Sequence, residues 1–149
     1  MPHPTPTVPR PLPSTVLDQV ARQVVEDHAG TPHAILVRVR PGPAGAEIGL
    51  CALPEGVHPR EALLGHVVPP AWAASGVIAP ARARSLDRPG DSGTATTVVM
   101  LVGRDGHVTS HAVGIDGVEA GGEAPVGRIP DLLRRTLGLP TAPPTASAA

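Results

Sequence analysis

The chain of 149 residues contains no phenylalanine, tyrosine, lysine or asparagine, and a single tryptophan, Trp72. Each gap removes something. Without lysine there is no side-chain amine to form a Schiff base with a carbonyl substrate or with pyridoxal, and no GxxxxGK[ST] phosphate loop can be written. With aromatics at 1% and a net charge of -1, the chain offers neither the stacking platforms nor the basic face that nucleic-acid binders use. One cysteine, Cys51, excludes an internal disulfide and a multi-cysteine zinc site. The opening MPHPTPTVPRPLPS lacks the apolar core of a secretory leader, and no stretch approaches the roughly 18 apolar residues of a membrane span. A cytoplasmic protein with neither a membrane nor a nucleic-acid partner is therefore expected. The missing residue types have codons rich in A and T, which points to a bacterial gene of high GC content.

Proline and glycine, 20 and 17 in number, are abundant enough for disorder to compete with folding. The apolar residues are clustered, however, and clustering is what a buried core requires. Residues 1–13 carry proline at nearly every second position, and they read as a disordered arm. Residues 139–149, LPTAPPTASAA, read as a disordered tail. Residues 14–138 then form a single domain.

Within that domain the patterning is regular. In STVLDQVARQVVEDHAG, Val16, Leu17, Val20, Val24 and Val25 fall on one helical stripe. Thr15 and Asp18 suit a capping box, while Gly30 and Pro32 stop the helix. HAILVRVR alternates, with Ile35, Val37 and Val39 opposite Arg38 and Arg40. EIGLCAL returns with Ile48, Leu50 and Ala52 on one face, so the two predict an antiparallel hairpin. HPREALLGHVV predicts a short helix starting at Pro59, ended by Pro69 and Pro70, which set up one further turn carrying Trp72. GVIAPARARSL predicts an extended run that Pro80 confines to an edge or bulge. Two β-branched runs around Arg104-Asp105-Gly106 predict a second hairpin, and the glycine-rich DGVEAGGEAPVG predicts a loop. RIPDLLRRTLG predicts a final helix that presents Leu132, Leu133 and Leu137 and stops at Gly138.

These elements specify an α+β domain, with a single antiparallel sheet of about five strands and an N-terminal and a C-terminal helix packed on it. Their order over residues 14–138 resembles that of roadblock-type and related profilin-like domains. The resemblance implies a generally non-catalytic module and carries no motif with it.

Candidate functional residues are few. Arg38 with Arg40, and Arg82 with Arg84, lie two apart in extended runs; aligned, they would make a cationic strip for an acidic partner or an anionic ligand. His58 and His66 bracket the short helix, and with Trp72 they are candidates to line a pocket. The structural expectation for Trp72 is an anchor at the core edge, holding the corner between Pro70 and Gly76. His107 and His111, about 13 Å apart along a strand, are too distant to share a metal ion and are expected to face solvent. Cys51 is expected to be buried and inert. No catalytic, cofactor-binding or metal-ligating residue is expected. The leading reading is a non-enzymatic protein-interaction or regulatory module, acting as a homodimer or on an acidic protein partner. The alternative is a small-molecule-binding or hydrolytic domain with a pocket near His58, His66 and Trp72.

Overall fold

The computed structural model describes residues 12–43, 45–83, 94–114, 119–120 and 128–139. The first helix, α1 (Ser14–Asp27), buries Leu17, Val20, Val24 and Val25 of the expected stripe together with Ala21, while Val16 is only partly buried. The expected capping box does not form. The Pro13 carbonyl instead accepts from the amides of Val16 and Leu17. Asp18 is engaged elsewhere, because its carboxylate accepts a hydrogen bond from the Thr109 hydroxyl. Gly30 turns the chain with φ +81° and donates its amide to Thr97 Oγ1 at 2.8 Å. Leu12, expected in the uncovered arm, is buried with the α1 side chains. Residues 1–11 of the arm and 140–149 of the tail lie outside the described residues, and Leu139, expected in the tail, packs against the cluster that holds the buried Leu132, Leu133 and Leu137.

The strands are β1 (Ile35–Gly42), β2 (Gly45–Ala52), β3 (Ala74–Ala83), β4 (Thr94–Gly103), β5 (Val108–Gly114) and the two-residue β6 (Glu119–Ala120). They form one antiparallel sheet in the order β2-β1-β3-β4-β5-β6. The single-sheet α+β class is as the pattern requires. β6, which pairs with Ala112 and Val113, arises inside the segment expected to be a loop. Both hairpins form in the expected places, with Val37 opposite Leu50 in the first. β3 is central rather than marginal. Its ladder with β1 ends at Ile78, so Pro80 falls where the strand has only β4 beside it and no β1 partner requires its missing amide.

The helices take opposite faces of the sheet. On the front, α1 packs over β4 and β5 and shares a core with Ile35, Val37, Val39, Ile78, Val99, Leu101 and Val113. On the back, α2 (Pro59–Leu63) and α3 (Arg128–Thr136) cover Val77, Met100 and Val102 with Leu63, Leu132, Leu133 and Leu137. Thr136 is buried and fixes α3 to β3, its Oγ1 lying 2.9 Å from Ser75 Oγ. The front of β2 lies beyond the reach of α1. Ile48 and Leu50 are consequently 39% and 47% exposed, although they line up with the buried residues of β1.

Candidate functional site

Four of the seven candidate residues meet at the back of the β1–β2 edge. Arg38 and Arg40 alternate away from the α1 core, and the chain from Pro69 to Ala73 folds over them. The Trp72 amide donates to the Pro69 carbonyl at 3.0 Å, forming the single turn expected after the paired prolines. The Ala73 amide donates to the Val39 carbonyl at 2.8 Å and pins this corner to β1. Trp72 is half-buried and packs against the back core. The Arg40 guanidinium lies over its ring, 4.7 Å from the centroid. Arg40 Nε in turn donates to Glu47 Oε2 at 2.6 Å, a pair set by the cross-strand register.

Glycine at position 49 lets the tryptophan lie against β2. A Cβ there would stand 3.1 Å from Trp72 Cη2. The space left beside the ring is a cleft of about 300 Å³ lined by Leu36, Arg38, Gly49, Leu50, Cys51, His66 and Trp72. Arg38 Nη2 and His66 Nε2 are 3.2 Å apart. Guanidinium nitrogens only donate, so His66 Nε2 is the acceptor and its imidazole is neutral. Burial, reinforced by the Arg38 cation, holds its pKa below the usual histidine value.

His58 does not join this group. Its Nδ1 accepts from the Arg60 amide at 3.1 Å, making it the side-chain cap of α2. It lies on a separate, largely apolar cavity of about 490 Å³ that also includes Val77, Val98, Met100 and Ile129. The expected common pocket of His58, His66 and Trp72 is therefore divided in two. Arg82 is level with Ala95 on β3, seven residues or about 23 Å along the strand from Ser75, the partner of Arg38. Arg84 lies outside the described residues, so the structure assembles no four-arginine strip among those it describes.

Two further expectations are corrected. Cys51 is exposed, because the back of β2 beyond Gly49 is not covered by α2 or α3. His107 and His111 face α1 rather than open solvent, with His107 Nε2 3.9 Å from Asp18 Oδ1. The residue that sequence reasoning misses is Arg104, which shows there only as part of a turn. Its Nε donates to the Trp72 carbonyl at 2.7 Å, Nη1 to Leu137 at 2.9 Å and Nη2 to Pro69 at 3.1 Å. It thereby joins the tryptophan corner, the β4–β5 turn and the end of α3. No local pattern signals such a role.

The outer edge of β2 is the second notable feature. The Val39 carbonyl faces β3, so by alternation Arg38 and Arg40 direct their backbone groups to β2. Their partners Gly49 and Glu47 face β1, which leaves Ala46, Ile48, Leu50 and Ala52 pointing outward. The Leu53 amide, which donates inward to Ala34 at 2.8 Å, has the parity of Gly49 and agrees with this assignment. Among the described residues no strand pairs with the outward edge.

Compared with protein-family models, curated proteins and solved structures, the chain finds no match in any of the three. The likeness of element order to roadblock-type and profilin-like domains gains no support from them.

Proposed function

We propose that the protein is an interaction module that assembles through the free edge of β2, and that its partner there is a second copy of the chain. The observation that carries this reading is the character of that edge. Its outward backbone belongs to Ala46, Ile48, Leu50 and Ala52, and no charge or proline at these positions blunts it. The one charged residue of β2, Glu47, is occupied by Arg40.

An antiparallel two-fold pairing centred on Gly49 sets Ile48 opposite the partner's Leu50 and Ala46 opposite the partner's Ala52. It makes about eight backbone hydrogen bonds and continues the apolar front face from one copy into the next. A strand of eight residues, roughly 27 Å long, gives an interface at the small end of specific contacts. A heterologous edge would not be self-complementary in this way.

Sedimentation velocity from about 1 to 200 μM provides the test. The expected result is a shift from the 15.1 kDa monomer to twice that mass. Leu50→Lys should abolish the shift by placing like charges close together across the two-fold axis. Ile48→Pro should do the same, because the amide it removes faces outward and no internal bond is lost. A monomer throughout the range, or a dimer indifferent to both changes, overturns the reading.

A further inference from the structure

The cleft beside β2 carries a second inference, independent of the assembly reading. Arg38 is a half-buried residue whose guanidinium makes one hydrogen bond among the described residues, to a neutral imidazole, and it has no carboxylate within ion-pair distance there. Its neighbour Arg40 is neutralised by Glu47. A cation partly withdrawn from water and left without a counter-ion is costly, and an anion supplied from outside removes that cost.

The rest of the cleft sets the character of that anion. With Arg40 paired and His66 neutral, the described residues of the site carry one unit of positive charge, which matches a monoanion better than a phosphate dianion. The guanidinium fork donates two parallel bonds to a carboxylate. Around it the walls are apolar and flat: the edge of the Trp72 ring, the Leu36 side chain and the bare backbone at Gly49. A volume of about 300 Å³ admits a small molecule of the size of one substituted ring. We infer that this cleft binds a small organic carboxylate with a flat apolar body, the carboxylate on Arg38 and the body against Trp72. Among the described residues, no arginine lines the larger cavity near His58.

Trp72 is the only tryptophan and there is no tyrosine, so emission excited at about 295 nm reports on the cleft alone. Benzoate is the probe, titrated at constant ionic strength to about 20 mM. Benzamide serves as its uncharged counterpart and inorganic phosphate as an anion without a ring. Benzoate should perturb Trp72 emission with a dissociation constant of roughly a millimolar, as suits so few atoms. Benzamide and phosphate should each bind at least about tenfold more weakly. Arg38→Met, which keeps the aliphatic stem, should weaken benzoate by a similar factor. Gly49→Val, whose side chain would crowd the Trp72 ring out of its seat, should weaken it as well.

The same titration followed by amide and indole N–H resonances of the unaltered protein localises binding without any variant. Shifts should concentrate at Trp72, His66 and residues 49–51. Three results overturn the inference: no perturbation at these positions, equal binding of benzoate and benzamide, or phosphate binding as well as benzoate.

Discussion

Arg104 shows how much one side chain can carry in a chain poor in aromatics. Its guanidinium donates at once to the carbonyls of Pro69 and Trp72 in one corner and of Leu137 at the end of α3, each 32 to 35 residues from it in the sequence. Truncation removes all three bonds and loosens the corner that seats Trp72. Arg104→Ala should therefore cost about 2–4 kcal/mol in urea denaturation, and Arg104→Lys should recover little, because an ammonium cannot span the fork. A loss below about 0.5 kcal/mol would contradict the role assigned to it. His66 gives a second expectation at this scale. Its pKa is lowered by burial and by Arg38, so the neutral ring is the form the fold favours. The stability linked to it is fully present above the unfolded value of about 6.5 and is lost as pH falls through the lowered folded value. A proton NMR titration of the His66 ring should show this depressed pKa. In Arg38→Met it should rise toward 6.5 without reaching it, because the burial remains. A pKa unmoved by that substitution would mean that Arg38 exerts no field on the ring.

At the level of the elements, residue periodicity is a good guide wherever one pattern has one meaning. The stripe of α1, the alternation of β1 and the leucines of α3 all reappear as buried faces. Gly138 stops α3 as expected, with the Leu139 amide returning to the Arg134 carbonyl at 2.9 Å. Local patterns mislead where a distant partner competes for the same group. Thr15 and Asp18 have capping-box spacing, but Asp18 is engaged by Thr109, 91 residues away. Arg38 and Arg40 look like the wet side of a strand, yet the corner at Trp72 folds back over them. Pro80 is incompatible with a strand paired on both sides, as its chemistry requires. That restriction governs only its own stretch of β3, because the strand loses one neighbour part-way along its length. The cleft itself is half legible. Arg38, His66 and Trp72 all stand out by residue type, but only the fold brings them together and leaves His58 elsewhere.

For the whole molecule, the placement of helices on both faces is written in one strand. β4 runs Val98, Val99, Met100, Leu101, Val102, and such an unbroken apolar run needs cover on both sides. β2 has no such run, and it is the strand that both proposed contacts use. Stability should therefore fall from the centre of the sheet to this margin, and native-state hydrogen exchange can read that gradient residue by residue. Amides of Val99 and Leu101, buried between neighbours, should exchange only on global unfolding. Along β2 the rates should alternate. The amides of Glu47, Gly49 and Cys51 point to β1 and should be protected, whereas those of Ala46, Ile48, Leu50 and Ala52 point outward and should exchange quickly in dilute protein. Raising the concentration toward 200 μM should slow only the second set, because pairing with another copy occupies those groups and no others. Protection of the outward set in dilute protein would mean that the chain covers its own edge. The basis for assembly through β2 would then be gone, while the Arg38 cleft, which opens on the back of the sheet, would stand or fall on benzoate alone.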